Sequence, residues 1–158
     1  MVTSSGRPRY TDGPDRAWTA STHDRSRVLA ATHDGKHVLV VDDDSAILNL
    51  VELWLTEAGY DVATCNAFDR AKQQLAQSTP DILLTDVRLG AFNGLQLVIL
   101  AKEQDPHMIT AVMSAYDDPL LRKEASRCGA RYVLKPFTYE QILDSVSQAA
   151  AGGTAVET

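Results

Sequence analysis

The chain has 158 residues, 44% of them hydrophobic, with 15 Lys and Arg against 21 Asp and Glu. That length supports one full hydrophobic core and leaves no room for a second, and the longest clean apolar runs, such as Val38 to Val41, are far short of the about 18 residues a membrane-spanning helix needs. The acid excess lies wholly after Lys36, where nine bases meet seventeen acids, so the body of the chain lacks the clustered Lys and Arg that phosphate neutralisation requires, and neither a nucleic-acid nor a membrane partner is predicted.

Residues 1–36 carry six bases (Arg7, Arg9, Arg16, Arg25, Arg27, Lys36) and four acids (Asp12, Asp15, Asp24, Asp34) among Ser, Thr and Gly. Their few apolar residues, Tyr10, Trp18, Val28 and Leu29, keep no sustained period, which predicts a disordered extension. A basic start followed by an apolar core is missing, so no secretory signal is expected and the cytoplasm is the predicted compartment.

From His37 the pattern changes. Val38 to Val41 is a β-branched, continuous run suited to a strand buried on both faces. Asp44 or Ser45 can cap the next helix, whose stripe of Ile47, Leu48, Val51 and Leu55 ends near Gly59. Tyr60 to Cys65 reads as a second strand, and Asn66 as the cap of a helix carrying Ala67, Ala71 and Leu75 that stops before Pro80. Ile82 to Leu84 is a third strand and Gly94 to Gln104 a third helix. Met108 to Met113 is a fourth strand, and Asp117-Asp118-Pro119 opens a fourth helix that closes at Gly129. Arg131 to Leu134 is a fifth strand. Thr138 to Gln141 has capping-box spacing, with Ile142, Leu143 and Val146 on the buried face of a fifth helix. Five such strand–helix units predict an α/β fold: a doubly wound, five-stranded parallel sheet in 2-1-3-4-5 order with five helices, over residues 37–149, followed by a flexible tail at 150–158.

In open α/β sheets ligands bind beyond the carboxyl ends of the strands. There the sequence places Asp42, Asp43 and Asp44 after the first strand, Asp86 after the third, Ser114 after the fourth and Lys135 after the fifth. Carboxylates gathered at one edge repel each other, and a hard divalent ion such as Mg²⁺ relieves the conflict. One acid suffices to cap a helix, so Asp42 and Asp43 are assigned to the site and Asp44 to the cap. Lys135 is a fixed cation able to meet a phosphoryl oxygen, Ser114 offers a hydroxyl, and Asp86, alone on its strand end, is the candidate nucleophile. The Lys135–Pro136 bond is a candidate for the cis form.

No GxxxxGK[ST] or GxGxxG stretch is present, so no nucleotide cofactor is expected. His23, His33, His37 and His107 read as surface histidines, and Cys65 and Cys128, without metal-ligand spacing, as buried small hydrophobes.

Residues 37 to about 149 resemble the receiver domain of two-component response regulators, and in particular its single-domain, chemotaxis-regulator-like forms. The likeness runs through Val-Leu-Val-Val-Asp-Asp-Asp at 38–44, Asp-Ile-Leu-Leu-Thr-Asp-Val-Arg-Leu at 81–89, Asn93-Gly94, Met113-Ser114-Ala115 and Tyr132 to Phe137. The fold it implies is flavodoxin-like. It also implies that Asp86 is the phosphorylated aspartate, that Asp42, Asp43, Asp86 and the backbone carbonyl of Arg88 hold Mg²⁺, and that Lys135 pairs with the acyl phosphate. Ser114 would be the switch hydroxyl and Tyr132 the aromatic that turns inward on activation. Arg88 and Tyr116 fall where side chains tune the lifetime of the phosphorylated form.

The implied mechanism is phosphoryl transfer from a sensor histidine kinase or histidine phosphotransfer protein, then a population shift of the helix 4/strand 5/helix 5 face. The signal would leave by contact with a downstream protein, or the chain would serve as a phosphorelay intermediate, with a possible homodimer through that face. On this reading the protein is a phosphoacceptor that assists its own phosphorylation and dephosphorylation, and not an enzyme. Gly90 departs from the proline common in the family and is expected to loosen its loop. Two other readings compete. One is a phosphorylation-independent binding module; the other is an aspartate-nucleophile phosphatase, whose DxDx[TV] pattern fails here because Ala46 stands four residues after Asp42.

Overall fold

The computed structural model describes residues 35–147. Most of the predicted extension and all of the predicted tail at 150–158 lie outside the described residues.

The elements run β1 (His37–Val41), α1 (Ser45–Glu57), β2 (Asp61–Cys65), α2 (Phe68–Gln77), β3 (Ile82–Asp86), β4 (Arg88–Leu89), β5 (Phe92–Asn93), α3 (Leu95–Gln104), β6 (Ile109–Ser114), α4 (Pro119–Arg127), β7 (Ala130–Leu134) and α5 (Tyr139–Val146). The five long strands form one parallel sheet in the order β2-β1-β3-β6-β7, the predicted 2-1-3-4-5 arrangement once β4 and β5 are set aside. Among the described residues no helix is long and apolar enough to cross a membrane.

Alternation along the strands builds a core on each face of the sheet. Val38 and Val40 of β1 pack with Leu48, Val51 and Leu55 of α1 and Ile142 and Val146 of α5. Leu39 and Val41 point the other way, toward Phe68, Ala71 and Leu75 of α2, Leu97 and Val98 of α3 and Ala125 of α4. Since every residue of β3 is buried, its side chains are apolar or, at Thr85 and Asp86, hydrogen-bonded or charged groups at the functional edge.

Local signals explain most helix starts. Asp44 caps α1 by accepting from Ala46 N (2.9 Å) and Ile47 N (3.4 Å), Asp118 caps α4 ahead of Pro119, and Thr138 with Gln141 closes the capping box of α5. Asn66 is a correction: α2 begins at Phe68, so the cap position is Ala67, which makes no side-chain cap bond. Strand ends also shift by a residue. β2 starts at Asp61 because Tyr60 N–H still donates to the Leu55 carbonyl at the end of α1, and β6 ends at Ser114 because that residue pairs with Leu134.

The hairpin β4–β5 is not foreseen by the sequence. Gly90, at φ 63°, occupies the left-handed region, closed to proline, and turns the chain so that Arg88 pairs with Asn93 and Leu89 with Phe92 in an antiparallel ladder.

His37 sits at the surface as expected, its side chain 45% exposed, whereas Cys128 corrects its reading as a buried residue. His37 lies 3.2 Å from Asp61 and 3.7 Å from Asp81, at the sheet edge opposite the acid cluster, and these carboxylates, Asp61 first, raise its pKa above the usual imidazole value. Cys65 is buried, whereas Cys128, the C-cap of α4, is only partly so; neither is in a disulfide among the described residues.

Candidate functional site

β1 and β3 are adjacent in the sheet, which brings their carboxyl ends side by side. Asp42 follows β1 and is fully buried; its Oδ1 accepts from Asp44 N (2.9 Å), and its Oδ2 accepts from Lys135 Nζ (2.8 Å). Asp43 is exposed, Asp44 is committed to the cap of α1, and Asp86 closes β3 at 8% exposure. One carboxylate oxygen from each of Asp42, Asp43 and Asp86 lies within 4.8 Å of the others. The acidic triplet is thus divided, with two members in the cluster and one at the helix cap.

Lys135 follows β7 and reaches across to this cluster. Its Nζ is 2.8 Å from Asp42 Oδ2 and 3.3 Å from Asp86 Oδ1. The backbone supports the reach, since Lys135 N–H donates to the Ser114 carbonyl (2.7 Å). The Lys135–Pro136 bond is cis.

Charge and burial are in tension here. Burial, and then the neighbouring Asp42, push the Asp86 carboxyl up to about 6, while Lys135 pulls it down. Asp42 is also raised, by burial first, although Lys135 and the Asp44 amide oppose this. For Lys135 the carboxylates outweigh burial, which acts to lower it, and the ammonium is held protonated. One cation faces three acids, so the site retains excess negative charge. Its donors are hard oxygens in a partly dry pocket, which fits a hard divalent cation and no soft one.

The other predicted residues gather in the loops beside this edge. Ser114 is buried at the end of β6, but its hydroxyl faces its own loop, donating to the Tyr116 carbonyl (3.2 Å) and accepting from Tyr116 N–H (3.0 Å). The Tyr132 hydroxyl donates to that same carbonyl at 2.6 Å. Arg122 stacks over the Tyr132 ring at 4.5 Å and is tied to Asp117 at 2.6 Å. Arg88 projects its side chain over the Tyr116 ring at 5.0 Å, linking the segment after Asp86 to the β6–α4 loop.

Three contacts in the segments flanking β3 and its following hairpin carry no clear sequence signal. Thr85 Oγ1 donates to the Asp86 carbonyl at 3.0 Å. Gly94 N–H donates to the Val87 carbonyl at 2.6 Å, and a Cβ on Gly94 would run into the Asp86 carbonyl oxygen. Phe92 stacks on Phe68, with ring centroids 4.6 Å apart and planes at 13°. The adjacency of Asn93 and Gly94 marks the second of these in the sequence, but it gives no reason for the glycine.

Gly94 yields a direct prediction. Gly94→Ala must displace the Asp86 backbone and is expected to destabilise the fold by about 3 kcal/mol. Gly90→Ala, with open space around it, should cost only the about 1–2 kcal/mol of a left-handed backbone. Urea unfolding of both variants checks the order, and equal losses would contradict it.

A family model described as a response regulator receiver domain matches residues 38–147. The Escherichia coli K12 transcriptional regulatory protein ZraR is 31% identical over 121 residues, which are 76% of this chain and 27% of that protein. The DNA-binding transcriptional regulator NtrC of Salmonella typhimurium is 35% identical over 116 residues, 71% of this chain and 24% of that protein. The chain therefore spans about a quarter of the length of these curated relatives. Among solved structures, a Burkholderia pseudomallei response regulator with a phosphorylated aspartic acid, calcium ion and citrate aligns with TM-score 0.69 and 26% identity, covering 76% of this chain and 71% of that one.

Proposed function

The chain belongs to the family of response regulator receiver domains, and from that premise we propose that Asp86 accepts a phosphoryl group from a phosphohistidine of a sensor histidine kinase or histidine phosphotransfer protein. Receiver domains are phosphoacceptors of two-component signalling, and phosphorylation on aspartate is general to the family. The observation that carries the assignment within this chain is the Lys135 ammonium, held between Asp42 and Asp86 at the carboxyl edge of the sheet.

In the proposed step an Asp86 carboxylate oxygen forms a bond to phosphorus as the donor's phosphorus–nitrogen bond breaks, and the leaving imidazole keeps that electron pair. The product is an acyl phosphate. Asp42, Asp43, Asp86 and the Arg88 carbonyl are the groups proposed to hold Mg²⁺, which when bound would supply positive charge against the phosphoryl oxygens. Lys135 contributes a second, permanent positive charge and loses its contact with Asp86 Oδ1 to a phosphoryl oxygen. The Ser114 hydroxyl, turned to Tyr116 in this structure, swings to donate to the same group. Tyr132, released from the Tyr116 carbonyl, then turns inward and alters the α4–β7–α5 face.

That face carries the exposed Leu120 at 66% and the Arg122–Asp117 pair, and it is the surface proposed to meet a downstream protein or a second copy of the chain. Self-assisted hydrolysis of the acyl phosphate, tuned by Arg88 and Tyr116, is part of the same reading. A small acyl phosphate with Mg²⁺ should raise the intact mass by one phosphoryl group, and a chelator should abolish the gain. Unchanged phosphorylation in chelator would contradict the metal's role.

A further inference from the structure

We infer that Phe92, through its stack on Phe68, is a positioning residue for the divalent-cation site, holding the β4–β5 hairpin so that the Arg88 carbonyl faces the acid cluster. This rests on the proposed metal role of Asp42, Asp43, Asp86 and Arg88.

The physical problem is the size of the hairpin. Two strands of two residues each joined at Gly90 and Ala91 have no stability of their own. Something outside the ladder has to fix them. Below, Leu89 is 3% exposed and enters the core. At the exit, Gly94 N–H bonds to the Val87 carbonyl and Asn93 Oδ1 accepts from Leu95 N (2.8 Å). Those contacts hold the base of the hairpin and the Asn93 end of its outer strand, and the Phe92 end is anchored by its ring.

Phe92 is 46% exposed, so what its ring contributes comes from its contact with one neighbouring ring. The partner is Phe68, which is 9% exposed and begins α2, just beyond the carboxyl end of β2. The near-parallel rings tie a short turn to a helix rooted in the core. Because Leu89 pairs directly with Phe92, and Arg88 with Asn93, a shift of the outer strand is passed straight to Arg88. The Arg88 side chain over Tyr116 gives the same residue a second aromatic restraint.

A stack of this kind is expected to change ion affinity by about three- to tenfold. The test is a Mn²⁺ titration of the full chain followed by electron paramagnetic resonance, comparing wild type with Phe92→Leu, Phe92→Tyr and Asp43→Asn. Phe92→Leu should weaken Mn²⁺ binding by that factor with little change in thermal unfolding. Phe92→Tyr, which keeps a stacking ring, should restore it. Equal Mn²⁺ affinity in wild type and Phe92→Leu, with Asp43→Asn impaired, would overturn this inference alone. Failure to restore with Phe92→Tyr would overturn it too. Absence of Mn²⁺ binding by the wild type would overturn the metal assignment and the inference with it.

Discussion

Lys135→Met is expected to destabilise the metal-free protein at pH 7.5 by about 2–4 kcal/mol, measured by chemical denaturation in chelator. The lysine side chain is 18% exposed and the Asp42 side chain 0%, so the pair is shielded enough for its loss to matter. Truncation leaves Asp42, Asp43 and Asp86 within 4.8 Å of each other with no ammonium between them. Added Mg²⁺ should recover part of the loss, because it supplies charge to the same oxygens. The Lys135 pKa is raised, so its favourable contribution is complete below the unfolded value of 10.5 and fades only as pH climbs through the higher folded value. The variant's deficit should nevertheless shrink on acidification, as the acids themselves become protonated. A deficit that stays constant from pH 7.5 to pH 4 would mean that the acid cluster is not its source.

The second large effect has the opposite sign. Asp86→Asn is expected to stabilise the metal-free fold at pH 7.5 by about 1–2 kcal/mol. Folding raises this carboxyl from 3.8 to about 6, burial first and Asp42 second. Each pKa unit corresponds to about 1.4 kcal/mol, and part of the total is returned when Asn gives up the 3.3 Å contact with Lys135. With a raised folded pKa, the protonated form favours folding below about pH 4, and that contribution is lost as pH rises through about 6. Metal-free wild type should therefore lose stability across that window relative to Asp86→Asn. Above it, Mg²⁺ should stabilise wild type more than the variant. A less stable Asp86→Asn protein at pH 7.5 would contradict the excess negative charge assigned to the site. On the proposed reading of Asp86 as phosphoacceptor, function carries a stability cost, since that carboxylate is held where its charge is least welcome.

Much of this arrangement is legible in the sequence because it depends on residues adjacent along the chain. The β-branched Val38 to Val41 run suits a doubly buried strand, and a strand in the sheet interior delivers whatever follows it to the carboxyl edge. Hence Asp42, Asp86, Ser114 and Lys135 can be assigned to one edge from the strand pattern alone. Even the division of Asp42 and Asp43 from Asp44 follows from the needs of a helix cap.

Contacts between loops are not legible in the same way. The permissiveness of glycine suggests a loosened segment at Gly90, yet its left-handed conformation closes a hairpin. The ring that meets this hairpin, Phe68, is distant in sequence and reaches Phe92 through the places of β2 and β3 on either side of β1. Asn66 has the composition of a cap, but the helix starts one residue later than an Asn66 cap would require. The Ser114 hydroxyl likewise belongs to its own loop in this structure, a local choice set by the Tyr116 backbone that strand periodicity does not encode.

The most direct test of the central claim is the site of modification. Wild type and Asp86→Asn, each treated with Mg²⁺ and a small acyl-phosphate donor, are compared by intact mass and by mapping of the labile phosphoryl group to a peptide. Wild type is expected to gain one phosphoryl group on Asp86, and the Asn variant none. A wild type that gains nothing, or a variant that gains as much, would contradict the assignment of Asp86 as the phosphoacceptor.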